Sequence, residues 1–156
     1  MKVLVATDGS DAAVEGAQRA LGLLQDGVEI VLAMIVPEKE DPMDTAGGFE
    51  GPTITEEEAA EEFAEATELG EEALAHTAGV LAASSVTVGD TVRTQLIASE
   101  VDPGSAIVEE AERSGADLVV IGSSGKGFLR RILSGSVSDH VVRHAPCPVL
   151  VVRHQG

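Results

Sequence analysis

Four apolar runs without polar alternation mark the chain: Lys2–Thr7 (KVLVAT), Val28–Val36 (VEIVLAMIV), Asp117–Ile121 (DLVVI) and Pro148–Val152 (PVLVV). Such runs suit strands covered on both faces of a parallel sheet. A further strand is predicted over Thr91–Ile97, where Val92, Thr94 and Leu96 alternate with Arg93 and Gln95. Alternation means that one face is wet, so this strand is expected at a sheet edge. Between the strands the apolar spacing changes to three and four. Ala13, Ala17, Ala20, Leu21 and Leu24 predict a helix over Ala12–Leu24, with Ser10 or Asp11 as its N-cap. Ala60, Phe63, Thr67, Gly70, Leu74, Thr77 and Leu81 form the core stripe of a long helix from Glu56 to Ala83. Shorter helices are predicted over Ser105–Arg113 and Val137–His144.

Strands alternating with helices predict an α/β fold, a doubly wound five-stranded parallel sheet with helices on both faces, in one domain over residues 1–156. The order 3-2-1-4-5 fits the edge character of the third strand. It sets the turn after strand one, at Asp8, beside the turn after strand four, Gly122 to Ser136. Ligands of such sheets bind outside the strand carboxyl ends, where the strand order reverses. Strand five becomes the other edge, and Val149, Leu150, Val151 and Val152 make it wholly apolar. A bare apolar edge invites pairing with another chain, so a homodimer through Pro148–Val152 is expected. Residues 37–55 carry Pro37, Pro42, Pro52, Gly47, Gly48 and Gly51 and show no regular pattern. They leave the carboxyl end of strand two, either as a lid or as a loop without a role.

Composition narrows the partners. The formal net charge is −17, and there are three Phe but neither Trp nor Tyr. Both facts argue against nucleic acid, and the charge argues against an anionic membrane. No stretch has the pattern of a signal peptide or the length of a membrane span, and the single cysteine, Cys147, fits a reducing compartment. A cytoplasmic protein is expected. The acid crowds between Glu38 and Glu72, as the solvated face of the long helix or as a sign of a high-salt cytoplasm. Ala116 to Gly156 is net basic by count.

That basic third holds the candidate site. The apolar run Leu118-Val119-Val120-Ile121 stops at Gly122, and a loop rich in glycine and serine leads to a helix opening near Ser136. A helix N-terminus presents unpaired N–H groups and partial positive charge, and glycines let a phosphate come close to the main chain. Gly122 would turn the chain off the strand, Gly125 would let the loop approach a ligand, and Gly135 would precede the helix. Ser136 and Ser138 offer hydroxyls, Ser136 with Asp139 has the form of a capping box, and Lys126, Arg130 and Arg131 supply cations.

At these residues the chain resembles the universal stress proteins, whose nucleotide-binding members carry G-x2-G-x9-G-[S/T]. Gly122, Gly125, Gly135 and Ser136 match that pattern without a gap. The resemblance extends to VLVATDGS near the start, GADLVVIGSSG, LSGSVS and the APCPVLVV ending. It implies an adenine nucleotide alpha hydrolase-like fold with the same strand order, and a dimeric regulatory protein of stress or dormancy that binds ATP, or AMP or ADP, and hydrolyses it slowly at most. Mg2+ would accompany the nucleotide. Gly122, Gly125, Gly135, Ser136, Val137 and Ser138 would surround the phosphates, with Lys126 or Arg130 neutralising charge. Asp8 would hold ribose or metal, Ala6 and Thr7 would flank the base or sugar with their backbone, and the backbone of Ile35 would read the adenine edge. One departure is Val101-Asp102-Pro103, where many relatives have a glycine before the proline; a side chain there is expected to intrude on a pocket wall.

Other chemistry is not in sight. His140 and His144 are four apart with no acid between them, which favours surface histidines over a metal site. Cys147 reads as a small buried hydrophobe. There is no G-x4-G-K-[S/T] loop, no G-x-S-x-G elbow and no C-x2-C pair. The rivals to nucleotide binding are an interaction module on the same fold, with the glycines kept for packing, and an enzyme that activates a substrate with ATP.

Overall fold

The computed structural model describes residues 1–24, 27–37, 55–84, 88–123 and 135–153. In chain order they form β1 (Lys2–Ala6), α1 (Asp11–Leu21), β2 (Val28–Pro37), α2 (Glu56–Ala83), β3 (Val88–Ser99), α3 (Pro103–Ser114), β4 (Leu118–Gly122), α4 (Gly135–His144) and β5 (Val149–Val152). The sheet is parallel throughout, in the order β3-β2-β1-β4-β5. The expected architecture and strand order are therefore found.

Continuous apolar runs become central strands because both sheet faces are covered. Val3, Val5, Ile30, Leu32, Met34, Val36 and Val120 point to one face and meet α1 and α2 through Ala17, Leu21, Leu74 and Leu81. Leu4, Val31, Ala33, Ile35, Val119 and Ile121 point to the other and meet α3 and α4 through Ala106, Ile107, Ala111, Val137 and Val141. Leu4, Ile30 and Leu32 are fully excluded from water. Each such side chain contributes about 1.5–3 kcal/mol of burial free energy.

Helix ends follow their capping chemistry. Ser10 caps α1 by accepting from the Ala13 amide, and Thr55 and Glu58 form a reciprocal capping box at the start of α2. Asp102 caps α3 with Pro103 in the first turn, and Gly115 closes that helix at φ 65°. The structure differs from expectation at several elements. α1 ends at Leu21 rather than Leu24, and Val14, outside the predicted stripe, is buried. The long-helix stripe holds from Phe63 onward, but Ala60 is exposed.

β3 is an edge strand as expected, pairing with β2 alone, yet its second face is not simply wet. Val92 and Leu96 pack toward α2, whereas Ile97 packs on the α3–α4 side. On that same side Gln95 donates to the carboxylate of Glu110 at 3.2 Å. Glu110 is buried and bidentate with Arg113. The alternation that marked β3 thus arises partly from a polar bridge to a helix. Cys147 is partly buried against the same layer, and this burial raises its thiol pKa.

Candidate functional site

The candidate site is built where β1 and β4 leave the sheet side by side. Ala6 lies opposite Ile121 and also opposite Ala33. The next residue of β4 is Gly122, and the next of β1 is Thr7, whose N–H donates to the Ala33 carbonyl at 2.9 Å. That amide is committed within the sheet, so Thr7 cannot donate it to a ligand. Its hydroxyl oxygen accepts from the Gly9 amide at 3.1 Å, tightening the turn.

Asp8 follows, only 3 % exposed. Its Oδ1 accepts from the Ser10 amide at 3.1 Å and from the Ser10 hydroxyl at 2.6 Å. Ser10 Oγ accepts in turn from Ala13 N at 3.2 Å. The carboxylate is therefore anchored at the amino end of α1, where the helix dipole favours an anion. Its local role as a turn aspartate is real. The spacing Asp8-Gly9-Ser10, a turn leading into a helix start, is what brings Ser10 to the carboxylate.

Gly9 makes this geometry possible. It has φ 74°, and a Cβ there would stand 2.7 Å from Ala73 Cβ and 3.2 Å from Met34 Cε. α2 thus presses directly on the turn that carries Asp8. Ile35 lies two residues beyond Ala33 along β2, so its backbone groups face the same side as those of Ala33. On that side β1 has already ended. The Ile35 side chain belongs to the core, and only its main chain is available to the site.

Gly122 is the last residue of β4, paired with Val152, and its φ is not positive. A Cβ built on it would meet no described atom within 4 Å. Ser123, next along, donates its N–H to the Val152 carbonyl at 2.9 Å, so that amide serves the sheet.

α4 begins at Gly135, which makes Ser136 its second residue rather than the N-cap expected. The Asp139 carboxylate meets Arg143 Nε at 3.0 Å, and the expected box with Ser136 rests on a side chain outside those described. Val137 is 5 % exposed and lies in the core, so its side chain holds the helix and only its backbone can serve a ligand. The amides of Gly135, Ser136 and Val137, at the start of α4, are those that find no acceptor inside a helix. Gly125, Lys126 and Arg130 fall in 124–134, outside the described residues, as does 38–54 of the long loop.

Asp102, expected to intrude on a pocket wall, turns its carboxylate to the start of α3. Its Oδ1 accepts from the Gly104 and Ser105 amides at 3.0 and 3.1 Å, and its Oδ2 from the Ser105 hydroxyl at 2.6 Å. The Ser105 hydroxyl, ahead of the other contacts, holds the Asp102 carboxyl below its usual range. His140 and His144 stack at 4.3 Å, and His144 Nδ1 donates to the His140 carbonyl at 2.8 Å. Among the described residues no group of three or more His, Cys, Asp or Glu could hold a metal ion, and no helix is long and apolar enough to cross a membrane.

Comparison with known proteins agrees with this architecture. The model of the universal stress protein family matches residues 1–153. Universal stress protein MJ0531 of Methanocaldococcus jannaschii is 32% identical over 155 residues, which cover 97% of this chain and 81% of that protein. Hypothetical protein MJ0577, solved in a structure-based assignment of biochemical function, superposes with TM-score 0.72 at 26% identity, covering 99% of this chain and 96% of its own. A universal stress protein family member from Arabidopsis thaliana, solved with AMP bound, gives 0.66 at 19% identity, covering 100% and 93%. The universal stress protein from Archaeoglobus fulgidus in complex with dAMP gives 0.60 at 22% identity, covering 97% of both chains.

Proposed function

The chain belongs to the universal stress protein family, and we propose that it binds an adenine nucleotide at the carboxyl ends of β1 and β4. ATP, with AMP or ADP as alternatives, enters with Mg2+. Similar folds solved with AMP and dAMP support the nucleotide class. The observation that carries the reading is Gly122. Among the described residues neither backbone strain nor packing calls for glycine there, and no described atom lies within 4 Å of a Cβ built on it. A ligand in that space accounts for the missing side chain.

In this reading the phosphates lie against Gly122, Gly125 and the first turn of α4, Gly135 to Ser138. Lys126 or Arg130 balances their charge. Asp8, already polarised by Ser10, accepts from ribose or holds the metal. The Ile35 main chain meets the adenine edge, and Ala6 and Thr7 wall the sugar. The described residues present no base or nucleophile at the site, so the protein acts as a regulatory binder and turns ATP over slowly at most. Two copies pair through β5, where Val151 is exposed at the edge of the sheet. Sedimentation showing monomers at micromolar concentration would remove the dimer.

Calorimetry with ATP, ADP and AMP, each with and without Mg2+, tests the nucleotide. Saturable binding of at least one, lost when Gly125 and Gly135 are replaced by bulky residues in a folded protein, is expected. No binding by any of them would leave an interaction module on the same fold.

A further inference from the structure

α4 is held to α3 by a chain of donated hydrogens that the nucleotide reading does not use. At its lower end, Asp102 takes two backbone amides on Oδ1 and the Ser105 hydroxyl on Oδ2. A hydroxyl has one hydrogen to donate. The 2.6 Å contact to Asp102 uses it. Ser105 Oγ also lies 3.4 Å from His140 Nε2, so in that contact it can only accept. The hydrogen must therefore come from His140 Nε2, and donation runs from α4 through Ser105 to the cap of α3.

The helices come close enough for this because position 104 has no side chain. A Cβ on Gly104 would stand 3.0 Å from both Cβ and Cγ of His140 and 3.0 Å from Asp102 Oδ1. The imidazole thus sits over the first turn of α3 with its free end at Ser105. His140 lies one turn beyond the residues of α4 that carry the amides assigned to phosphate. The charged and titratable groups around the ring are Asp102 across the helix pair and His144 stacked on its own helix. Asp139 is turned to Arg143.

We propose that His140 is a positioning residue for the anion-binding end of α4. By donating to Ser105, and through it to Asp102, it fixes the direction in which the first-turn amides point. This role rests on the nucleotide reading for its consequence, but the clasp itself does not. The aspartate terminates the chain of donors.

The test separates a donated hydrogen from mere packing. His140→Gln keeps an N–H donor at similar reach, whereas His140→Leu keeps bulk alone. With Mg-ATP as the probe, His140→Leu and Ser105→Ala should each weaken binding about fivefold, the double variant no further, and His140→Gln less than about twofold. Without nucleotide, exchange of the Asp139 and His140 amides, whose helical bonds close on Gly135 and Ser136, should quicken by a similar factor in His140→Leu but not in His140→Gln. If the wild type binds no adenine nucleotide, the proposed function fails and the exchange rates alone decide the clasp. Unchanged exchange and affinity in His140→Leu, or equal losses in the Gln and Leu variants, would overturn it.

Discussion

The missing side chain of Gly9 lets Ala73 of α2 rest on the turn after β1: a Cβ on Gly9 would lie 2.7 Å from Ala73 Cβ. Asp8, one residue earlier, is held by the Ser10 amide and hydroxyl. In Gly9→Ala the new Cβ meets Ala73 Cβ, which is fixed directly to the α2 backbone and cannot swing away, and the residue must also adopt φ 74°. It should destabilise by about 2–4 kcal/mol. Gly70→Ala offers a contrast, since the one close contact of its Cβ would be the flexible end of Leu96 at 2.7 Å, with Val36 Cγ1 and Met34 Sδ at 3.4 and 3.5 Å. Overpacking there is partly offset by better helix propensity, so a loss of about 1 kcal/mol is expected. Urea denaturation of both variants checks the ranking, which reverses if the turn yields more easily than the helix.

Gly122 should behave in the opposite way. Nothing described lies near its absent Cβ, and its φ suits any residue. Gly122→Val is expected to change stability by no more than about 0.5 kcal/mol and to weaken adenine nucleotide binding at least about tenfold. Paired calorimetry and denaturation read both quantities. A variant that binds as the wild type does would remove the observation on which the nucleotide reading stands.

Two caps make stability depend on acidity. The Asp102 carboxyl is lowered chiefly by the Ser105 hydroxyl, and that of Glu58 chiefly by the Thr55 backbone amide. A carboxyl lowered by folding binds its proton more readily in the unfolded chain. Its contribution is present above the ordinary carboxylate value and is lost as pH falls through the lowered value. Unfolding midpoints should therefore drop on acidification within the acid range and stay level near neutrality. Asp102→Asn keeps an acceptor for the cap but cannot titrate, so its profile should be flatter. Parallel profiles for wild type and variant would exclude Asp102 as a source.

Salt should stabilise the protein. α2 contains neither Lys nor Arg, and Glu57/Glu61, Glu58/Glu62, Glu61/Glu65 and Glu68/Glu72 stand four apart along it. Like charges at that spacing each oppose the helix by about 0.2–0.5 kcal/mol. The net charge of −17 adds general repulsion. Raising NaCl from about 0.05 M to about 1 M, which shortens the screening length to ~3 Å, should raise Tm by about 5 °C or more. Replacing Glu61, Glu65 and Glu68 by Gln should reduce that slope. A Tm indifferent to salt would mean that the acidic face carries no net repulsion.

Sheet and strand order were legible because burial on two faces writes itself as unbroken apolar runs, and because Asp8 and Gly122 each follow such a run. The glycine spacing and the serines near Ser136 located the candidate site for the same reason: backbone chemistry is local, and glycine and hydroxyl residues announce it. What neighbouring elements do to one another was not legible. The role of Gly9 depends on Ala73, 64 positions away in the chain. The backbone of Thr7 looked free for a ligand until the sheet committed its amide to Ala33. Asp102 looked like an obstruction until its oxygens were found on the start of α3, and Gln95 like a wet position until it met Glu110.

The amino-acid sequence by itself determined the alternation of strands and helices, the parallel order and the junction where a ligand would enter. These follow from hydrophobic periodicity and backbone conformation, which act over a few residues. Only the tertiary structure decided which amides and carboxylates are already engaged, which glycines are required by packing, and that His140 faces Ser105. Those outcomes depend on distances between segments remote in sequence, and only the packing of helices on the sheet sets them.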